Sequence, residues 1–232
     1  MVVRVRLVEG AGLAAYTEGI RRVYADVFSA PPWNEAPAAA SAYVERLLAD
    51  AQRPGFTTAL ACDPAGADDG LGPVGDAESG PAGASHGFGT EGGAGGGPRA
   101  RRGDRAGAVC GFATAWTTPD AFPADRSYGH VAKALGPERV TAWLCGAREV
   151  DELAVVPAAR GTGAAAALLT AVTEGVPGGR CWLLTSVRAE AALRFYRREG
   201  WRRVPVEVPG RAGLVVLLGP GHPAVDTLPR RT

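Results

Sequence analysis

Apolar residues recur along this chain with the periods of strands and helices, and they outline most of its elements before any chemistry is considered. Val2 to Leu7 alternates as a strand does, and Leu13, Tyr16, Ile20, Val23, Tyr24 and Val27 then recur at helical spacing. A second helix is expected with Pro37 in its first turn, Tyr43, Val44, Leu47 and Leu48 on its buried face, and an end near Pro54. Phe56 to Cys62 reads as the next strand, followed after a long interruption by Val109 to Thr117 and Arg148 to Val156. Between those two, Pro137 to Gly146 has a helical pattern, with Val140, Trp143 and Leu144 on one side. Cys181 to Ser186, Arg202 to Val206 and Leu214 to Leu218 complete the strands, and the end from Gly219 reads as frayed. Strands and helices alternate as in one mixed α/β sheet covered by helices on both faces.

The interruption covers residues 63–107. Glycine fills 15 of its 45 positions, and large apolar side chains are almost absent. Such a segment cannot offset the entropy of ordering, so it reads as a disordered, solvated insertion. Acidic residues collect in its first half (Asp63, Asp68, Asp69, Asp76, Glu78) and arginines at its end (Arg99, Arg101, Arg102, Arg105). Closure entropy grows by only about 0.6 kcal/mol per doubling of length, so the flanking strands are still expected to pair as a hairpin. The organisation is a single domain over 1–218, interrupted at 63–107, with a C-terminal tail at 219–232.

Chemistry concentrates in ELAVVPAARGTGAAAALL, Glu152 to Leu169. Leu153 to Val156 has the content of a buried strand, Pro157 ends it, and a helix follows from near Gly161. The first turn of a helix has backbone N–H groups without partners and about half a positive charge, which favours an anion. Gly161 and Gly163 let a ligand approach the backbone, Ala164 to Leu169 is free of large polar side chains, and Gly175 suits the end of the helix. The glycine-lysine-Ser/Thr ending of a P-loop is absent. Gly161, Gly163 and Ala166 alone spell the GxGxxA of a dinucleotide fold, but four residues separate strand from glycines, and no Asp or Glu stands at the end of the next strand to hold a ribose.

Arg160, Gly163 and Ala165 also spell R-x-x-G-x-A, and this resembles the pyrophosphate-binding signature of the GNAT superfamily of acyl-CoA-dependent N-acyltransferases. The resemblance continues in AALRFYRREGW, Ala191 to Trp201, with Ala192, Tyr196 and Gly200 at the family's offsets. It departs at Ala189, where members often carry an asparagine. It implies a mixed, mostly antiparallel central sheet flanked by helices on both faces, and acetyl-CoA as co-substrate. The amides of Gly161, Thr162, Gly163, Ala164 and Ala165 would hold the diphosphate with Arg160, and the thioester would lie along Leu153, Ala154 and Val155 where the family's strands splay. Tyr196 would protonate the departing thiolate. Glu152 is the candidate base for the acceptor amine, with Asp151 and Glu149 as alternatives; strand alternation should turn Asp151 and Glu152 to opposite faces. Trp33, in the segment Ala30 to Glu35, and Trp116 are candidate acceptor contacts, and Tyr128, His130 and Trp143 are placed on the same side.

Composition narrows the partners. A net charge of +1 gives no general attraction to nucleic acid or anionic membrane. MVVRVRLVEG has arginines inside its apolar run and reads as a strand, not a signal peptide, and no segment has membrane-spanning length. Cys62, Cys110, Cys145 and Cys181 lack metal or redox spacing and sit in apolar stretches, as small core residues do in a cytoplasmic protein. His130 has no second ligand at metal spacing, so no metal is expected.

The expected protein is a cytoplasmic N-acetyltransferase that moves an acetyl group to a primary amine, on a small molecule or a peptide, in a ternary complex. A homodimer is left open. The competing readings are a catalytically silent acyl-CoA sensor or partner-binding module on the same fold, and a dinucleotide-dependent reductase.

Overall fold

The computed structural model describes residues 3–63, 108–208 and 213–229. The expected insertion at 63–107 falls outside them except for Asp63. In chain order the elements are β1 (Arg4–Val8), a 3-10 segment (Gly10–Tyr16), α1 (Thr17–Phe28), α2 (Ala39–Asp50), β2 (Thr57–Cys62) and β3 (Val109–Thr117). Next come α3 (Tyr128–Leu135), the short α4 (Pro137–Arg139) running into a π-turn (Val140–Leu144), and β4 (Arg148–Val155). The chain then forms α5 (Ala164–Thr173), β5 (Cys181–Ser186), α6 (Glu190–Arg198), β6 (Arg202–Val208) and β7 (Leu214–Leu218).

The strands form one seven-stranded sheet in the order β1-β2-β3-β4-β5-β7-β6. Every neighbouring pair is antiparallel except β4 with β5. β2 and β3 pair directly, and the Asp63 N–H donates to the Ala108 carbonyl at 3.1 Å, so the strands flanking the insertion do meet. β4 is joined to β5 through α5, the helical crossover that a parallel pair requires.

Alternation along the strands sorts the core onto two faces. On one face Cys110, Val150, Val155 and Leu183 pack against Leu168, Leu169 and Val172 of α5 and Tyr196 of α6. On the other, Leu60, Phe112 and Ala154 meet Ile20, Val23, Tyr24, Tyr43 and Leu47 of α1 and α2. Farther along that face Trp182, Val216 and Leu218 meet Tyr128, Val131 and Leu135 of α3. All four cysteines are buried free thiols.

Three expectations fail here for local reasons. Leu48 is 44% exposed, because the buried stripe of α2 runs Ala40, Tyr43, Leu47, Asp50 and the next position lies off it. Helix α3 lies outside the expected helical stretch at Pro137 to Gly146, which itself divides into α4 and the π-turn. From Gly219 to Pro229 the chain is not frayed: Ala224 and Leu228 are buried in the α3 core, and His222 Nε2 lies 2.9 Å from the Trp143 carbonyl.

Leu168 has no exposed surface where α5 crosses the sheet. Leu168→Ala is expected to lower unfolding free energy by about 2–5 kcal/mol, measured by urea denaturation; a loss below about 1 kcal/mol would mean that α5 does not depend on this contact.

Candidate functional site

The site is built on an interruption in sheet pairing. β4 pairs with β5 only from Arg148 to Val150, opposite Cys181 to Leu183. Beyond Val150, β4 has no strand on its β5 side among the described residues, although β3 accompanies it to Val155. The register between β3 and β4 also shifts between Thr114 and Ala115: Thr114 pairs with Glu152 but Ala115 pairs with Val150. Asp151 is therefore an extra residue, as in a β-bulge.

That bulge corrects the expectation that Asp151 and Glu152 face opposite ways. Both line one cavity of about 260 Å³, together with Arg46, Arg126, Ser127, Tyr128, Glu149, Val150, Leu184 and Leu214. The Val150 and Leu153 side chains pack in the core on the α5 side, the change of phase a bulge produces, although Val150 also borders the cavity.

Arginines from two other elements meet these carboxylates. Arg46 Nη2 of α2 is 3.5 Å from Glu152 Oε1, and Arg126 Nη1 is 3.3 Å from Asp151 Oδ1. Buried Asp50, at the end of α2, accepts from Arg53 Nε at 2.7 Å, pairs with Arg126, and lies 4.0 Å from Arg46. Asp50, Arg46, Arg53 and Arg126 escaped the sequence reading. The available signal was Asp50 itself, an acid at the end of the apolar stripe of α2. Arg126 has a positive φ of 51°, a conformation that is costly for a residue with a Cβ.

Glu149 is held differently. Its Oε2 accepts from the Tyr128 hydroxyl at 2.9 Å and from Trp116 Nε1 at 3.2 Å. Trp116 is only 1% exposed, with Arg53 and Arg126 over its ring, so it stands behind this carboxylate and offers no open face. Burial first, and the charge of Asp151 second, push the Glu149 carboxyl up to about 8. Burial also raises Asp151, to about 6, with Arg126 and Arg46 opposing. Glu152 is held well above the ordinary carboxylate range by burial and by Asp151.

The other expected residues fall in three places. Trp33 lies in the α1–α2 connection with its ring against Phe28 at 5.6 Å, and it does not line this cavity. His130 is exposed, and Trp143 is half-buried under Arg139. Tyr196 is 7% exposed, flanked by Phe195 and Trp201, and its hydroxyl has no protein hydrogen-bond partner among the described residues. Burial, and then the charge of Glu152, keep that phenol protonated far above neutrality.

At the far end of β4, Pro157–Ala159 forms a tight turn and α5 begins at Ala164, three residues later than the glycine pattern suggests. Gly161 and Gly163 have φ of 77° and 85°, conformations that residues with a Cβ rarely adopt, and a Cβ built on either meets nothing within 4 Å. Among the described residues, no protein acceptor meets the N–H groups from Gly161 to Ala166; the first bond of the helix runs from Ala167 N to Gly163 O at 3.0 Å. Arg160 Nε leans toward the Val155 carbonyl at 3.4 Å, and Thr162 Oγ1 donates to Ala159 O at 2.8 Å. The open amides and bare glycines fit a diphosphate, the group that coenzyme A would present. Among the described residues, no group of three or more His, Cys, Asp or Glu side chains is placed to hold a metal ion, and no helix is long and apolar enough to cross a membrane.

The mostly antiparallel seven-stranded sheet flanked by helices matches the fold of solved GNAT acetyltransferases. Residues 104–203 match the family model described as the acetyltransferase (GNAT) domain. A GNAT-family acetyltransferase from Desulfovibrio desulfuricans is 19% identical with a TM-score of 0.50, covering 94% of this chain and 97% of its own. PaiA N-acetyltransferase from Thermoplasma acidophilum, solved in complex with coenzyme A, is 10% identical with a TM-score of 0.51, covering 94% and 99%. A histone acetyltransferase HPA2 and related acetyltransferase from Corynebacterium glutamicum is 16% identical with a TM-score of 0.53, covering 95% and 97%. No curated protein matches the chain.

The raised carboxyls set a pH dependence. Unfolded, Asp and Glu titrate near 3.9 and 4.3, so between about pH 4 and 8 the folded chain holds protons that the unfolded chain has lost. Stability must then fall as pH rises through this window, by up to about 1.4 kcal/mol per pH unit for each such proton. Urea denaturation at pH 5 to 8 should show this fall, and Glu149→Gln should flatten it; an unchanged slope in the variant would place the titration elsewhere.

Proposed function

We propose that this protein transfers an acetyl group from acetyl-CoA directly to a primary amine within a ternary complex. The observation that carries the reading is the row of unpartnered amides from Gly161 to Ala166, one turn beyond the strand that loses its neighbour. Acetyl-CoA, when bound, supplies a thioester whose carbonyl carbon accepts the amine and whose C–S bond breaks.

The chain's own residues have separable tasks. The amides of Gly161 to Ala165, with Arg160, hold the diphosphate. The unpaired edge of β4 at Leu153 to Val155 presents backbone N–H to the acyl oxygen, where a donor stabilises developing negative charge. Glu152 takes the proton that the acceptor ammonium must lose before its nitrogen can attack. Its raised affinity for a proton suits it to that task, with the arginine pairing to Arg46 keeping it in place. Tyr196, protonated and without a hydrogen-bond partner among the described residues, gives its proton to the departing sulfur. Trp33 remains a candidate contact for the acceptor. Trp116 acts through Glu149, which it positions.

Two measurements test the reading. Acetyl-CoA and CoA should raise the melting temperature by several degrees at 100 times Kd, where linkage gives about 2.7 kcal/mol, and NADPH should not. With a turned-over amine, Tyr196→Phe should lower kcat by about tenfold or more at unchanged folding. A shift with NADPH and none with CoA would overturn the donor, and full turnover by Tyr196→Phe would remove the acid.

A further inference from the structure

The three carboxylates of β4 that line the cavity are not equally neutralised. Asp151 has Arg126, and Glu152 has Arg46. Glu149 has only two neutral donors, both on Oε2; its Oε1 meets no donor among the described residues. It is nevertheless 4% exposed. A carboxylate that dry is disfavoured as an anion unless a cation joins it.

The surroundings show where such a cation would come from. Arg126, whose charge acts on it, is engaged with Asp50 and Asp151, and Arg53 is engaged with Asp50. The protein therefore leaves the cavity side of Glu149 to a ligand. Trp116 holds the carboxylate from behind and Tyr128 from the cavity wall, and Leu184 and Leu214 give the cavity an apolar side suited to methylene groups. Glu149 precedes Glu152 by three residues on an extended strand, a span of at most about 10 Å.

We propose that Glu149 recognises a second cationic group on the acceptor, so that the acceptor class is an amine carrying another ammonium a few methylenes from the reacting nitrogen. The assignment of the reacting nitrogen rests on the acyl-transfer reading above; the binding claim does not. The titration of Glu149 agrees with it. Burial and Asp151 favour its protonated form near neutrality, against Tyr128, Trp116 and Arg126, so a bound dication should displace a proton at pH 7.

The test is titration calorimetry at pH 7, in two buffers of different ionisation enthalpy, with tetramethylenediamine and butylamine as probes. The diamine should bind at least tenfold more tightly than the monoamine and release a proton. Glu149→Gln should bring the two affinities within about twofold. Should that variant fail to fold, Glu149→Asp serves instead: retracting the carboxylate should shift preference toward pentamethylenediamine. Equal affinities in the wild type, or a preference that survives both substitutions, overturn the proposal. A preserved diamine preference in a protein whose melting does not respond to acetyl-CoA supports this inference and overturns the donor reading alone.

Discussion

The site depends on β4 losing its parallel neighbour after three residues. An unpaired strand edge inside a sheet exposes N–H and C=O groups that folding must satisfy in some other way, and leaving them dry costs as much as a lost hydrogen bond. The chain keeps the opening from closing by what flanks it. The bulge at Asp151 bends β4 on the β3 side, Tyr196 and Trp201 pack beneath, and α3 stands across from α2 above. The opening follows from the way β4, β5 and α5 are joined and packed.

Charge holds the upper rim. Asp50 ties Arg46, Arg53 and Arg126 to one point, and two of these reach back to the β4 carboxylates. Cutting such a network at one member strands a buried charge, which costs more than the pair contributes, so its members act together. Arg126 in its left-handed conformation is the local expense of reaching both Asp50 and Asp151 from the α3 connection. The rim thus links α2, the α3 connection and β4 through side chains that a list of helices and strands does not reveal.

Much of this was legible from residue order. The strands Val109–Thr117, Cys181–Ser186 and Leu214–Leu218 follow from apolar runs bounded by turn residues, and the glycine-rich start of α5 follows from a short motif. Helix α3 was not, because Tyr128, Val131 and Leu135 make a repeat of barely two turns among exposed residues. The shared direction of Asp151 and Glu152 was illegible for a different reason. A bulge depends on the register with β3, and register belongs to two strands far apart in sequence. Trp116 shows the same limit: its spacing revealed an aromatic near the site, but only packing shows its indole committed to Glu149.

β4 is also the element that touches both ends of the proposed reaction. Its Leu153–Val155 segment leads into the open amides, while Glu149, Asp151 and Glu152 lie at the other end, above the sheet face covered by α2 and α3. A donor anchored by its diphosphate and an acceptor anchored by its charge would therefore approach one stretch of backbone from opposite directions. That arrangement gives proximity without an intermediate carrier on the protein, since each partner is positioned by groups the other does not need. It also separates the electrostatics: positive helix-end potential at one end, and a cavity of proton-holding carboxyls with two guanidinia at the other. On the proposed reading, the helix-end potential favours the polyanionic donor at its own end of the strand, and a cationic acceptor is favoured at the other end once it displaces carboxyl protons. The order of charges along β4 and its following loop then contributes to specificity before either molecule makes a shape-dependent contact.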